Sequence, residues 1–234
     1  MNFDDRCVLV TGAAGNLGRA VAQAFAARGA ALVLADARAE NLQRAFGGED
    51  ARRMFAPVDL LDQAGVEAAV AAAVGRFGRI DVLCNLAGGF RMGTLAHQTA
   101  DADWNAMFDI NVRTLLRTTT AVVPKMIEAG GGRIVNVGAF AAQKGAALMG
   151  AYVAAKSAVI RVTETLSAEL RDKGINVNCV LPTIIDTPEN RAAMPGADPA
   201  RWVAPGDLAN VIAFLASDEA RAVHGVALPV TGLG

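Results

Sequence analysis

Short apolar runs alternate with longer, alanine-rich amphipathic segments along the whole chain, and this alternation constrains the fold more than any other feature. The runs are rich in β-branched residues and lack a polar/apolar alternation, which is typical of parallel strands covered on both faces. The pattern predicts a three-layer, doubly wound α/β fold with a seven-stranded parallel sheet. We predict strands at residues 7–10, 31–35, 53–57, 80–85, 133–137, 175–181 and 226–230, and helices at residues 17–28, 39–46, 63–77, 103–129, 151–171 and 205–217.

The chain has 234 residues, 53% of them hydrophobic, and shows no repeat or linker. We therefore predict one domain over residues 1–234, large enough to need no disulfide or metal for stability. Asp62 is expected to cap a helix, and Gly29 and Gly174 to close helices with positive φ. Residues 187–206 are long for an α/β connection, and we predict that they form a substrate lid.

Composition excludes several classes of partner. The formal net charge is −1, without the basic excess expected of a nucleic-acid or anionic-membrane surface. The start of the chain lacks signal-peptide features, and no apolar run reaches the roughly 18 residues of a membrane span, so we expect a cytoplasmic protein. Cys7, Cys84 and Cys179 lie in predicted strands as buried small side chains, and His97 and His224 are isolated, so no metal site is predicted.

A glycine-rich turn follows the first predicted strand. Residues 11–18 read TGAAGNLG and run into a predicted helix. Glycine allows a tight turn and a close approach of backbone to a pyrophosphate, while the helix start offers free N–H groups and a positive dipole end. Because strand and helix flank the turn, it predicts a dinucleotide site of the Rossmann type.

Asp36 ends the second predicted strand, 24 residues after Gly12 and 18 after Gly18. A carboxylate at this spacing can bind the adenosine ribose, and its charge repels a 2′-phosphate. We therefore expect NAD(H) to be favoured over NADP(H), although Arg38 leaves room for a 2′-phosphate.

Tyr152 is the only tyrosine of the chain, and Lys156 follows it four residues later. On a helix these positions share a face. A lysine ammonium beside a phenol is expected to lower the tyrosine pKa from about 10, which would suit proton transfer near neutral pH.

Together these segments resemble the short-chain dehydrogenase/reductase family over essentially the whole chain. Residues 11–18 are similar to its TGxxxGxG turn, residues 85–88 to NNAG, and residues 152–156 to YxxxK. The resemblance implies hydride transfer at nicotinamide C4, with Tyr152 as proton donor or acceptor, Lys156 on the nicotinamide ribose and lowering the Tyr152 pKa, and Asn111 organising a water relay. The implied cofactor-binding residues are Gly12, Gly15, Asn16, Leu17, Gly18, Asp36, Asp59, Leu60, Asn85, Ala87, Gly88, Tyr152, Lys156, Pro182, Ile185 and Thr187.

Three positions depart from the family pattern. Asn16 replaces the middle glycine of the turn, and we expect it to tolerate a left-handed backbone there. Thr183 replaces the glycine after Pro182. Ala139 stands where the family has its catalytic serine, thirteen residues before Tyr152. Losing one such donor costs about 10²–10³ in rate, so an ordinary ketoreductase would be handicapped.

The dihydropteridine reductase branch of the family offers one explanation, because it carries alanine at the serine position. Residues 83–90, 149–156 and 181–205 of this chain are similar to that branch. The resemblance implies a quinonoid dihydropterin-like ring as substrate, which accepts hydride without forming an alkoxide. A small carbonyl or alcohol stays an equal alternative, with Gln143 or a water replacing the serine.

A non-catalytic NAD(H) sensor is a further alternative, supported only by Ala139. Residues that could line the substrate cleft are Ala139, Gln143, Phe90, Arg91, Met149, Met194 and Trp202. The family resemblance also implies a homodimer or homotetramer, with the helices at 103–129 and 151–171 packed across a two-fold axis.

Overall fold

One parallel sheet organises the molecule in the computed structural model, which describes residues 1–233. Its strands are β1 (Cys7–Thr11), β2 (Ala31–Asp36), β3 (Arg53–Pro57), β4 (Val82–Asn85), β5 (Gly132–Val137), β6 (Ile175–Pro182) and β7 (Ala227–Val230). They lie in the order β3-β2-β1-β4-β5-β6-β7, and every neighbouring pair is parallel. The predicted fold class is confirmed. Gly234, which ends the predicted domain, lies outside the described residues.

Helices cover both faces of the sheet. They are α1 (Asn16–Ala26), α2 (Ala39–Phe46), α3 (Gln63–Phe77), α4 (Asp101–Phe108), α5 (Thr114–Glu128), α6 (Gly150–Leu170), α7 (Pro188–Ala193) and α8 (Pro205–Leu215). Val8 of β1 packs in one core cluster with Phe25 of α1, whereas the next residue, Leu9, packs in another with Val122 of α5. Neighbouring residues of a strand thus face two different cores, which explains why the strands are continuously apolar.

The predictions for Asp62, Gly29 and Gly174 are confirmed. The Asp62 side chain accepts a hydrogen bond from the Ala64 N–H at 3.1 Å and caps α3. Gly29 and Gly174 have φ of 87° and 72°, the left-handed region that glycine enters without a steric penalty.

Several predicted boundaries differ from the structure by one or two residues, and the helix predicted at 103–129 differs more. The strand predicted at 80–85 begins only at Val82, and the carboxylate of the buried Asp81 before it accepts the Cys7 N–H at 2.9 Å. The helix predicted at 103–129 is divided into α4 and α5 by a π-helical turn at Asp109–Arg113. The segment at 187–206 contains α7 and a 3₁₀ turn at Pro199–Arg201, so it is more ordered than a simple loop.

Asn16 does not adopt the left-handed backbone expected of it. It is the first residue of α1, and the positive φ in this turn belongs to Gly12, at 62°. The three cysteines are buried and unpaired, as predicted. No helix within residues 1–233 combines the length and apolarity needed to cross a membrane.

Candidate active site

The glycine-rich turn lies at the carboxyl end of β1, and two of its glycines are sterically required. A Cβ on Gly12 would lie 3.0 Å from the Ala87 Cα, in addition to the strain of its positive φ. A Cβ on Gly18 would lie 2.2 Å from the Gly12 carbonyl oxygen. A side chain at Gly12 would therefore push the turn away from segment 86–87, and one at Gly18 would push α1 away from the turn.

Thr11 connects this turn to the end of β4. Its Oγ1 accepts hydrogen bonds from the backbone N–H groups of Leu86, at 3.0 Å, and Ala87, at 3.2 Å. The segment 85–88 therefore lies directly beside the turn, although 75 residues separate them in sequence. The sequence analysis missed this positioning role of Thr11. Its only sequence signal is a hydroxyl at the strand end that precedes Gly12.

Asp36 lies next to the turn from its other side. It ends β2, is half-buried, and its Oδ2 accepts the Ala14 N–H at 3.2 Å. Gly15 is the N-cap residue of the adjacent helix α1 and has no side chain to cap it. The first N–H groups of α1 are thus open to an anion, and a carboxylate is fixed within the same turn. This arrangement fits the pyrophosphate and ribose of a nicotinamide dinucleotide.

Asn111, Lys156 and Gly88 come together at the carboxyl end of β4. A Cβ on Gly88 would lie 2.9 Å from Asn111 Oδ1 and 3.2 Å from Lys156 Nζ. Asn111 is buried in the π-helical turn, and its amide donates to the Gly89 carbonyl while its Oδ1 accepts the Gly89 N–H. A π-turn inside a helix is frequent at functional sites, because it redirects a side chain and loosens the backbone pattern.

Lys156 is buried on α6, and its Nζ donates to the Val137 carbonyl at 2.8 Å. Burial lowers the pKa of Lys156 to about 8, and a smaller opposing effect comes from Cys179. Burial is also the cause that raises the pKa of Tyr152 to about 12. The expected lowering of the Tyr152 pKa by Lys156 is therefore not found in this structure, where burial of the phenol alone accounts for the shift.

Tyr152 forms an edge-to-face contact with Phe90, with ring centroids 4.8 Å apart at 86°. Phe90 is 57% exposed, so it shields one side of the phenol while facing solvent itself. Ala139 is buried in the apolar cluster against which Tyr152 packs. Its methyl group offers no hydrogen bond where the family's serine hydroxyl would lie.

The remaining cleft candidates occupy different surroundings. Gln143 is exposed, and its amide donates to the Phe140 carbonyl at 3.3 Å. Met149 lines a narrow groove together with Arg91 and Met107. Trp202 is half-buried in the 187–206 segment, where its backbone lies beside Gly232.

Other predicted cofactor residues have structural partners of their own. Asn85 is buried, and its amide donates to Asn136 Oδ1 at 2.9 Å, which joins β4 to β5. The Asp59 carboxylate accepts the Leu61 N–H at 2.8 Å, while Leu60 is buried. After β6, Ile185 bridges to Val203, Thr187 caps α7 and Pro182 is the last residue of the strand.

Helix α7 contacts the glycine-rich turn directly. Asn16 Nδ2 donates to Glu189 Oε2 at 2.7 Å, and Arg19 donates to Asn16 Oδ1 at 2.6 Å. Hydrogen bonds with the Glu189 backbone N–H, Thr187 and Asn16 lower the pKa of Glu189. The residue that replaces the middle glycine of the turn therefore holds the first helix of the 187–206 segment. Sequence reasoning missed Glu189, because only its place after Pro188 marked it.

Comparison with known proteins identifies the family. A family model described as short chain dehydrogenase matches residues 6–197. D-threitol dehydrogenase from Mycolicibacterium smegmatis is 36% identical over 98% of this chain and 93% of its own length. The chain belongs to the short-chain dehydrogenase/reductase family, whose members are NAD(P)-dependent oxidoreductases.

Solved structures agree with this assignment. NAD⁺-bound xylitol dehydrogenase has a TM-score of 0.90 and 30% identity, covering 99% of this chain and 100% of its own. Gluconate 5-dehydrogenase from Burkholderia cenocepacia, solved with NADP and tartrate, has a TM-score of 0.90 and 30% identity, covering 99% and 95%. Because these neighbours bind NAD in one case and NADP in the other, they support a nicotinamide dinucleotide without deciding which.

Proposed function

We propose that the protein transfers hydride between NAD(H) and a small substrate, with Tyr152 as the proton donor or acceptor. The observation that carries this proposal is the convergence of Tyr152, Lys156 and Asn111 on segment 88–90, beside the glycine-rich turn. The turn supplies an anion-binding helix start, and the convergent side chains supply the proton chemistry.

The chain offers a set of groups for each part of the cofactor. The start of α1 would hold the pyrophosphate and Asp36 the adenosine ribose, which favours NAD(H) over NADP(H). Lys156 would bind the nicotinamide ribose. The nicotinamide carboxamide and the pyrophosphate would contact Pro182, Ile185 and Thr187. Asp59, Leu60, Asn85 and Ala87 complete the proposed binding surface. A bound nicotinamide dinucleotide supplies or accepts the hydride at its C4.

Tyr152 holds a proton on its Oη at neutral pH, because burial raises its pKa to about 12. In the reducing direction this phenol donates the proton to the substrate atom that gains electrons. Lys156, with a pKa lowered by burial, lies on the same face of α6 and can pass a proton onward. Asn111 would organise the water through which the proton returns from solvent.

Two substrate classes have an observation in their favour. Ala139 favours an electron-poor, quinonoid dihydropterin-like ring, since such a ring develops no alkoxide that needs a hydroxyl donor. The similarity to D-threitol dehydrogenase favours a small alcohol or carbonyl compound. Residues 187–206, including Trp202, would form the lid over either substrate, together with Phe90, Gln143 and Met149.

Oxidation of NADH with quinonoid dihydropterin, compared with a panel of small ketones, tests the proposal. Turnover on either class supports hydride transfer, whereas dinucleotide binding without any turnover would favour the sensor alternative. Ala139→Ser separates the classes. It should raise ketone turnover by about 10²-fold if the substrate is a carbonyl, because it restores one hydrogen-bond donor. It should give no gain on the pterin ring.

We also propose a cytoplasmic homodimer or homotetramer that pairs through α4, α5 and α6. Leu116 and Ile127 are exposed apolar residues of α5, which supports contact through this layer. Sedimentation velocity would measure the assembly, and a monomer at micromolar concentration would contradict it.

A further inference from the structure

A polar cavity lies at the amino ends of the strands, whereas the glycine-rich turn lies at their carboxyl ends. It has a volume of about 260 Å³ and is formed where β1, β4 and β5 begin. Its charged lining residues are Arg6, Arg79, Asp81, Arg133 and Asp218. Neither the proton chemistry nor the dinucleotide site uses any of these residues.

The positive charges of this cavity exceed the negative ones, with three guanidinium groups against two carboxylates. Asp81 is 3% exposed and lies 2.7 Å from Arg79 Nε and 3.2 Å from Arg6 Nη1. Its other oxygen accepts the Cys7 N–H. Asp81 is therefore a fixed part of the cavity wall, and its negative charge is paired with Arg6 and Arg79.

Asp218 pairs less closely with the arginines of this cavity than Asp81 does. Its carboxylate is 73% exposed and lies 3.3 Å from Arg6 Nη2 and 3.4 Å from Arg133 Nη2. Such long and exposed ion pairs contribute little to stability. An external anion can therefore take the place of this carboxylate between the two guanidinium groups.

Arg133 has unused hydrogen-bonding capacity. Its Nε is buried without a hydrogen-bond partner, while Nη1 donates to the Gly132 carbonyl at 3.0 Å. Burial lowers the pKa of Arg133, Asp218 raises it, and the neighbouring Arg6 lowers it further. The two guanidinium groups of Arg6 and Arg133 thus repel each other, and an anion between them would relieve that repulsion.

We propose that this cavity binds a phosphate group, either as the free ion or as a phosphomonoester. Several acceptor oxygens on one centre match the fixed donor geometry of Arg6 and Arg133. The cavity is far larger than the roughly 30 Å³ that one water occupies, so it can hold more than a bare ion. Gly130 leaves an open side, because a Cβ there would meet nothing within 4 Å.

Phosphate binding at this place would stabilise the folded chain, because it would connect the segments that precede β1 and β4, the start of β5 and the segment after α8. The test is thermal unfolding in increasing inorganic phosphate against sodium chloride of equal ionic strength. Saturating NADH is present throughout, so that phosphate cannot act through the glycine-rich turn. We expect a saturable rise of the unfolding temperature in phosphate only.

Substitutions identify the site. Arg133→Gln should weaken phosphate binding about tenfold, the effect of one lost charge-assisted hydrogen bond. Asp218→Asn should strengthen it about two- to fivefold, since the competing carboxylate is neutralised. A gain of affinity in Asp218→Asn cannot come from misfolding. Arg161→Gln is the control, because Arg161 is exposed on α6 and pairs with Glu164.

Glycerol 3-phosphate, titrated in the same way, distinguishes the sources of the phosphate. Binding of both compounds indicates a site for phosphomonoesters, and binding of inorganic phosphate alone indicates a site for the free ion. The proposal is overturned by the absence of a saturable phosphate effect, or by equal effects in Arg133→Gln, Asp218→Asn and Arg161→Gln. None of these results depends on catalytic turnover, so they are independent of the hydride transfer in the proposed function.

Discussion

The phenol of Tyr152 is held in place by apolar contacts, so its hydroxyl can be removed without disturbing the site. Tyr152→Phe keeps the aromatic ring against Phe90 and deletes only Oη. We expect the variant to bind NADH with unchanged affinity and to lose about 10²–10⁴ in kcat, the range for a positioned proton donor. NADH fluorescence titration and steady-state kinetics measure the two effects. Full activity would remove Tyr152 from the mechanism.

The proposed preference for NAD(H) rests on Asp36. In Asp36→Ala we expect NAD(H) affinity to fall about tenfold or more, because charge-assisted hydrogen bonds to the ribose are lost. NADP(H) affinity should fall less or even rise, since repulsion of the 2′-phosphate disappears as well. Titrating both dinucleotides against the same variant gives an internal control. An equal loss for both would mean that Asp36 does not contact the ribose.

At the scale of elements, α7 and α1 are joined by the hydrogen bond between Asn16 and Glu189. This bond holds a carboxylate near the helix start that would receive the pyrophosphate. In Glu189→Gln we expect dinucleotides to bind about two- to fivefold tighter, the usual strength of one charge at a helix terminus. Fluorescence titration at low salt measures the effect.

Glu169→Gln is the matched control for this experiment, since Glu169 is exposed near the far end of α6. It should leave dinucleotide affinity unchanged. Weaker binding in Glu189→Gln would instead show that α7 clamps the bound dinucleotide through this carboxylate.

The division between α4 and α5 shows why element boundaries are harder to predict than elements. The apolar pattern of residues 103–129 indicates one long helix, and the chain does stay helical throughout. The π-turn around Asn111 arises because that side chain hydrogen bonds to both the N–H and the carbonyl of Gly89. This contact spans 22 residues, so no local pattern contains it.

At the scale of the whole molecule, burial of titratable groups makes stability depend on pH. Burial lowers the pKa of Lys156 from its ordinary 10.5 to about 8 in the folded chain. Between these two pH values the unfolded chain therefore binds more protons than the folded chain. The charge of Lys156 therefore destabilises the fold at pH 7, and this cost shrinks as pH rises. Cys84 and Tyr152 have the opposite effect, because burial raises the pKa of each. The folded chain keeps their protons at alkaline pH while the unfolded chain loses them, so stability falls as pH rises there.

Comparison of Lys156→Met with the unmodified chain isolates the lysine contribution. At pH 7 the variant should gain stability from the loss of the buried charge. The free energy of unfolding of Lys156→Met relative to the unmodified chain should then fall by about 1 kcal/mol between pH 7 and pH 9. Urea unfolding at several pH values measures it. Lys144→Met, at an exposed position, is the control and should show no such slope. A pH-independent difference in Lys156→Met would contradict the argument.

The fold class and the position of most elements could be predicted from the amino-acid order, because strand and helix periods, N-caps and positive-φ glycines are local properties. That order also placed Gly12, Asp36, Tyr152 and Lys156 at strand ends or on one helix face, where spacing alone specifies neighbours. Contacts between residues far apart in the chain could not be predicted, because they form only when the whole chain is folded. Strand order and loop conformation bring together three such pairs: Asn111 with Gly88, Phe90 with Tyr152, and Asn16 with Glu189. The raised pKa of Tyr152 likewise could not be predicted from spacing, because desolvation depends on everything that surrounds the phenol in space.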